Sequence, residues 1–351
     1  MSREIAIAGR PMGPDHRPYI VAELSANHLG GIERAFEIMA AAKRAGADAV
    51  KLQTYTADTI TIDHGGKGFV IEGGLWNGRR LYELYQEAHT PWDWHAALFA
   101  KGRELGLAVF STPFDASAVE LLESLGAPAY KIASFEAVDL ALIARVAATG
   151  KPLVISTGMA DRDEIAQALG SARSAGARDI VLLHCVSSYP ARAEDSNLRT
   201  IPDMAAAFDV LVGLSDHTLG TGVAVAATVL GACLIEKHVT LRRADGGPDS
   251  AFSLEPEELA RLVEDTSTAH AALGRVNYAP EAAENAMRNL RRSLYVVADM
   301  AAGEVFTAAN LRSIRPGYGL PPRHLPEILG RRARTAIARG TPLDWGLVNE
   351  G

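Results

Sequence analysis

Hydrophobic and polar positions along this chain follow two alternating rhythms. Short apolar runs that end in polar residues are followed by longer stretches with apolar residues three or four positions apart. The first is the mark of a buried strand and the second of an amphipathic helix. After a short polar lead, Pro18-Tyr-Ile-Val-Ala-Glu-Leu24 is the first strand run, followed by a loop over 25–31. Ile32 to Ala45 has helical spacing, with Gly46 placed as its C-cap. Ala49-Val-Lys-Leu-Gln-Thr-Tyr55 is the second run, and further strands are predicted near 108–114, 129–134, 152–158, 179–185, 211–217 and 233–239. Helical spacing separates them near 91–105, 117–124, 139–148, 161–175, 199–207 and 221–231, and returns at 256–273.

Eight strand–helix units in roughly 250 residues predict an α/β protein built as a closed (β/α)8 TIM barrel. An open, doubly wound sheet is the alternative, but no Gly-x-Gly-x-x-Gly turn follows the first strand. A long insert over 56–90, after the second strand, carries glycines at 65, 66, 68, 73, 74 and 78. On the catalytic face such an insert serves as a lid or substrate wall, or is a plain surface excursion. Past Leu273 the rhythm stops. The barrel is therefore assigned to 1–273, a linker with a helical patch over 281–289 to 274–292, and a small loop-rich module to 293–351. Strand signals in that module are Leu294-Tyr-Val-Val297, Ala302-Gly-Glu304, the stretch 315–322 and the stretch 333–337. At about 60 residues it is near the lower limit for standing alone.

Composition narrows the function classes. Of 351 residues 48% are hydrophobic and 22% charged, ordinary for a soluble globular protein. A net charge of −7 offers no broad basic field for nucleic acid or a membrane surface. No run approaches the ~18 apolar residues of a membrane span, and no signal-peptide core is seen, so a cytoplasmic location is expected. Cys185 and Cys233 each lie inside an apolar run, as small buried hydrophobes do.

Candidate chemistry sits at the strand ends, where a parallel barrel places its active site. These ends carry Glu23, Lys51 with Gln53, Thr112, Lys131 with Ser134 and Glu136, Ser156, Tyr189, Ser215 with Asp216 and His217, and Glu236 with Lys237 and His238. His217 and His238 end consecutive strands, so two neutral imidazoles meet over one spot and suit a divalent transition metal. Each histidine is alternatively hydrogen-bonded near its strand end. Lys51 and Lys131 lie in otherwise apolar runs and need anions: a structural ion pair, or a phosphate and a carboxylate from a ligand. A lysine Schiff base is a further option that the histidine pair argues against. Glu23, Glu136 and Asp216 are candidate bases or water-orienting groups.

The same residues carry a resemblance. Ile20-Val-Ala-Glu-Leu-Ser-Ala-Asn-His28, Val50-Lys-Leu-Gln-Thr-Tyr55, Phe110-Ser-Thr-Pro-Phe-Asp115, Tyr130-Lys-Ile-Ala-Ser134, Val154-Ile-Ser-Thr-Gly158, Gly213-Leu-Ser-Asp-His217 and Ile235-Glu-Lys-His238 resemble the sialic acid synthase family of phosphoenolpyruvate-condensing enzymes. The tail, with Arg315-Pro-Gly, resembles that family's C-terminal antifreeze-like (SAF, β-clip) domain. Ser187-Ser-Tyr-Pro190 and Arg243-Ala-Asp-Gly-Gly247 look like the pseudaminic acid branch, whereas members that use N-acetylmannosamine typically have Asn where Ser187 stands.

This resemblance implies a transferase that condenses phosphoenolpyruvate with open-chain 2,4-diacetamido-2,4,6-trideoxy-L-altrose. The products are a nine-carbon 2-keto sugar acid and phosphate; an N-acetylneuraminate or legionaminate synthase is the alternative. It implies that His217 and His238 hold Mn²⁺ or Mg²⁺, two imidazoles favouring manganese, and that Glu23, or else Glu136, handles the attacking water. Lys131, Thr112, Ser134, Ser156 and Ser215 would take the phosphate and Lys51 the carboxylate. Gln53, Tyr55, Ser187, Tyr189, Asp245 and Asp249 would face the sugar, although the two aspartates could instead cap turns. It further implies a domain-swapped homodimer in which Arg315 reaches the other subunit's sugar. Two competing readings remain, a metal-dependent aldolase that releases no phosphate and a binding protein with a degenerate site.

Overall fold

The structure, a computed structural model, describes residues 4–349. The expected polar lead is a β-hairpin, β1 (Ile5–Ile7) and β2 (Arg10–Met12), with Ile7 paired to Arg10. Its turn residues Ala8 and Gly9 have φ of 49° and 78°, the signs required by the tight turn that matches strand twist. Three-residue strands are too short to show a period, so the pattern missed them. Ile5, Ile7 and Met12 are buried against Tyr19, Val21 and Phe110.

The alternation that follows is β3 (Tyr19–Glu23), α1 (Ile32–Ala45), β4 (Ala49–Thr54), α2 (Ala57–Ile60), α3 (Leu81–Ala88), α4 (His95–Leu105), β5 (Ala108–Pro113), α5 (Ala116–Ser124), β6 (Tyr130–Ile132), α6 (Leu140–Ala147), β7 (Leu153–Ser156), α7 (Arg162–Ser174), β8 (Ile180–Cys185), α8 (Thr200–Phe208), β9 (Leu211–Ser215), α9 (Gly222–Val229), β10 (Leu234–His238) and α10 (Pro256–Leu273). Strands β3 to β10 pair in parallel with sequential neighbours, and β10 pairs back on β3, so the sheet closes. The expected (β/α)8 barrel is what forms.

Both faces of each strand are buried, and the period of two divides them. Val50, Leu52, Ile155 and Leu182 belong to the outer core under the helices. Val21, Ala49, Val154 and Val181 belong to the inner core that the hairpin joins. Toward the carboxyl ends the inward positions turn polar, with Glu23, Lys51, Thr112, Lys131, Ser156 and Glu236 all buried. Local chemistry starts the helices on time: the Asp115 side chain accepts from the amides of Ser117 and Ala118 at 2.7 and 3.1 Å to cap α5.

The insert over 56–90 is not structureless. It contains α2, α3 and an antiparallel bridge from Val70 to Arg80. The chain divides into two compact units between Gly274 and Arg275. In the second, β11 (Ser293–Val296) pairs antiparallel with β12 (Leu311–Ile314), and the short helix α11 (Leu325–Ile328) follows. Leu294, Val296, Phe306, Leu311, Ile328 and Leu343 form its core.

Three strand expectations there fail. The stretch 315–321 is irregular and Pro322 opens a 3-10 turn, because Pro316, Pro321 and Pro322 donate no amide and Gly319 lies so close to Leu294 that a Cβ would stand 2.3 Å from its carbonyl oxygen. Ala302 and Gly303 form a turn, with φ of 78° at the glycine. Over 333–337 only isolated bridges form, at Ala333 and Ile337. Among the described residues no helix is long and apolar enough to cross a membrane.

Candidate active site

Strand register places the first group of side chains. Glu23 is level with Lys51 on one side and with His238 on the other, and Ser215 is level with Glu236. Neighbours at one level of a parallel sheet point the same way, so all these side chains face the barrel interior. The Lys51 ammonium pairs with Glu23, stands 3.7 Å from Glu236 Oε1 and donates to Thr112 Oγ1 at 3.2 Å. Lys131 Nζ is 3.5 Å from the same Glu236 oxygen, to which Ser215 Oγ donates at 3.2 Å. Two ammonium groups thus share two carboxylates out of water.

Their titration follows from that setting. Burial pushes the Glu23 carboxyl up to about 7, with Glu236 adding to the rise and Lys51 opposing it. Burial also works to raise Glu236, but Lys131 and Lys51 outweigh it and hold that carboxyl below its ordinary value. Burial lowers the Lys131 ammonium; it opposes Lys51 too, but there Glu23 and Glu236 win and the net direction is upward.

The second group is the histidine pair. The rings of His217 and His238 lie 5.4 Å apart, edge to face. The carbonyl of Val186 can only accept, so His217 donates to it from Nδ1 at 2.9 Å, leaving the Nε2 lone pair available. Burial holds both imidazoles below their ordinary pKa, His238 far below and pushed further by His217. His238 Nδ1 is buried without a hydrogen-bond partner, 4.0 Å from Asp249 Oδ2. Two neutral imidazoles side by side fit two ligand positions of a divalent transition ion. Among the described residues no set of three or more His, Cys, Asp or Glu side chains is placed to hold a metal.

A third group lines the opposite wall. Ser134 and Ser187 share a hydrogen bond of 2.9 Å between their hydroxyls, and Gly158 makes room for both, since a Cβ there would lie 2.3 Å from that of Ser134. Ser156 Oγ, Glu136 Oε2 and Glu236 Oε2 are buried without hydrogen-bond partners. Burial pushes Glu136 up to about 7, against the pull of its own backbone amide and of Lys131. Buried polar atoms are normally paired, so their gathering at one barrel end marks a place built for a polar ligand.

An aromatic rim lies over the histidines. Tyr189 lies tilted at 4.4 Å from His217, Phe252 edge-on at 4.9 Å from His238, and Trp76 of the 56–90 insert 5.4 Å from Tyr189. Trp76 also donates from Nε1 to Pro248 O at 2.9 Å, which fastens the insert to the loop after β10.

The remaining expected sugar residues are spread more widely. Gln53 is half-buried; Tyr55 is buried, edge-on to Phe114 at 5.0 Å. The Ser25 hydroxyl donates to Asp249. Asp245 is held between Arg34 at 2.9 Å and Arg242 at 2.8 Å. Arg315 is exposed in the second unit. Asp216, a candidate base, points out of the barrel: Lys237 pairs with one of its oxygens at 2.8 Å, and Thr218 donates to the other.

Glu236 received no role from the sequence, although its two-residue spacing from His238 marks it as facing the same way. No pattern singled out Trp76 or Phe252, whose places depend on loops.

A closed barrel with paired lysines, paired carboxylates and neutral imidazoles at the carboxyl ends of its strands has the build of a barrel enzyme's active-site mouth. The chain belongs to the NeuB family, which residues 38–278 match, and residues 291–349 match the SAF domain. It is 46% identical to a pseudaminic acid synthase of Helicobacter pylori, over 93% of this chain and 96% of that protein. It is 35% identical to an N,N'-diacetyllegionaminic acid synthase of Legionella pneumophila, over 96% of each. The structure of an N-acetylneuraminic acid synthetase from Leptospira borgpetersenii superposes with a TM-score of 0.73 at 30% identity, covering 82% of this chain and 95% of that one.

Proposed function

We propose that this chain is a pseudaminic acid synthase. It condenses phosphoenolpyruvate with open-chain 2,4-diacetamido-2,4,6-trideoxy-L-altrose and water, giving a nine-carbon 2-keto sugar acid and phosphate. The observation that carries this reading is the lysine–carboxylate quartet beside the two neutral imidazoles, in a chain 46% identical to a synthase of that name.

The chemistry follows from the charges. As phosphoenolpyruvate enters, Lys131 exchanges Glu236 for the phosphate, which Thr112, Ser134, Ser156 and Ser215 also hold, and Lys51 exchanges Glu23 for the carboxylate. Each buried ammonium thereby keeps an anionic partner. His217 and His238 hold a divalent ion, manganese by their nitrogen chemistry, which when bound supplies Lewis-acid polarisation of the sugar aldehyde. C3 of phosphoenolpyruvate attacks the aldehyde carbon, and the aldehyde oxygen becomes a hydroxyl by taking up the proton that is removed from the water adding at C2. Glu23, released from Lys51, takes a proton from the water that adds at C2, with Glu136 the second candidate. The C2–O bond to phosphate then breaks, the C2 hydroxyl passes its proton to the departing phosphate, and the 2-keto group forms. Gln53, Tyr55, Ser187, Tyr189, Asp245 and Asp249 face the sugar, and Trp76 closes the rim.

The active assembly in this reading is a domain-swapped homodimer, in which Arg315 reaches the sugar bound by the other subunit. An active monomer in light scattering would remove that part. The cytoplasm is the compartment proposed, in keeping with two free, buried cysteines.

The test is phosphate release from phosphoenolpyruvate with the diacetamido-trideoxy-altrose, its legionaminic-type counterpart and N-acetylmannosamine, each with Mn²⁺ or with chelator. Release with the first sugar and metal is expected. Preference for either other sugar would reassign the acceptor, and condensation without phosphate release would mean an aldolase.

A further inference from the structure

One buried ionic group in the barrel wall takes no part in the mouth. Asp216 follows Ser215 and precedes His217; Lys237 follows Glu236 and precedes His238. The inward positions of these adjacent strand ends carry the two imidazoles, and the alternate, outward positions carry this ion pair, whose side chains are at most 1% exposed. Lys237 Nζ donates to Asp216 Oδ2 at 2.8 Å, to Thr218 O at 2.5 Å and to Gly220 O at 3.2 Å. Asp216 Oδ1 accepts from the amide and the hydroxyl of Thr218 at 2.9 and 2.7 Å. The Asp216 amide donates to Glu236 O at 2.9 Å, carrying the β9–β10 pairing one residue further.

We infer that the Asp216–Lys237 pair is a positioning device that sets the spacing and direction of His217 and His238 from the back of the sheet. It rests on the metal reading proposed above. All three ammonium donors and both carboxylate oxygens are taken, so the bonds fix the turn 218–220 as well as the side chains. His217 lies between Asp216 and Thr218, two residues joined by that carboxylate, which holds the backbone from which the ring projects. His238 Nδ1 has no hydrogen bond to steer the ring, so its direction comes from the backbone, which ladder pairing with β3 and the neighbouring Lys237 side chain anchor, and from contact with Phe252. Stability alone does not call for such a pair, because well-packed apolar residues of similar volume commonly serve a buried site as well or better. An apolar pair would not clamp the turn after His217.

The test is titration of metal-free full-length protein with Mn²⁺ alone, following the electron paramagnetic resonance signal of the free ion. The double variant Asp216→Leu/Lys237→Met leaves no stranded charge and is expected to fold. Its Mn²⁺ affinity is expected to fall roughly tenfold or more, as when groups behind metal ligands are removed. Thr218→Val keeps the ion pair and removes one bond to Asp216; it is expected to weaken Mn²⁺ binding by about tenfold, the low end of such losses, and it decides the matter if the double variant does not fold. Wild-type affinity in the double variant, or in Thr218→Val where the double variant is unfolded, would overturn the inference, provided His217→Ala binds less Mn²⁺ than wild type. Equal binding by wild type and His217→Ala would instead remove the metal reading, and this inference with it.

Discussion

The imidazoles of His217 and His238 stand 5.4 Å apart, edge to face, at the ends of adjacent parallel strands. Neither ring can be replaced by a neighbour, because Asp216 and Lys237 point the other way. His217→Ala or His238→Ala is expected to lower kcat by roughly a thousandfold or more, while far-ultraviolet circular dichroism and cooperative unfolding persist. Near-normal rates in either variant after chelator treatment would mean that the pair holds no catalytic metal.

Lys131 and Glu236 separate folding from function. Lys131→Met leaves Glu236 with Lys51 as its remaining cation, and breaking a buried pair from one side costs about 3–5 kcal/mol. Adding Glu236→Leu is expected to restore most of that stability in thermal unfolding without restoring the KM for phosphoenolpyruvate. Recovery of substrate binding along with stability would make Lys131 a structural residue.

Glu23 and Glu136 both have carboxyls raised by burial to about 7. A base must be charged, so kcat/KM is expected to rise with pH through about 7. Glu23→Gln should lose most activity and flatten that limb, whereas Glu136→Gln should keep it; the opposite result would exchange their roles. Stability follows the opposite sign. A carboxyl that binds its proton more tightly folded than unfolded makes the protein progressively less stable between its ordinary value of 4.5 and its folded value of about 7. Chemical denaturation of Glu23→Gln across that range should show a shallower decline than wild type.

Gly158 has a φ of 49° and no room for a Cβ beside Ser134 and Ser187. Gly158→Ala is expected to cost about 1–3 kcal/mol and to raise the KM for phosphoenolpyruvate, because Ser134 must move. An unchanged KM would take Ser134 out of the phosphate site.

Trp76 joins the 56–90 insert to Pro248 and Tyr189. Trp76→Ala should raise the KM for the amino sugar and leave that for phosphoenolpyruvate unchanged. A selective effect on phosphoenolpyruvate would mean that the insert guards the other substrate.

The barrel was legible in the sequence because each strand is buried on both faces and each helix on one, which leaves two distinct periods. The helix Ile32–Ala45 and its Gly46 cap were read to the residue. The hairpin β1–β2 was not, since three residues carry no period, and the strand Leu311–Ile314 was lost among turn residues.

The order of residues by itself determined which side chains end each strand, and therefore that two lysines, two histidines and Glu23 occupy the carboxyl ends of a parallel sheet. Tertiary structure alone decided which of them meet. Closing the sheet brings β10 against β3, so Glu23 and His238, more than 200 residues apart in the chain, become level neighbours. Closure also brings Glu236 within reach of both lysines, 3.7 Å from Lys51 and 3.5 Å from Lys131, and sets Lys237 against Asp216 on the outer side. Pairing between distant segments follows from how the whole barrel packs, which no local run of residues contains.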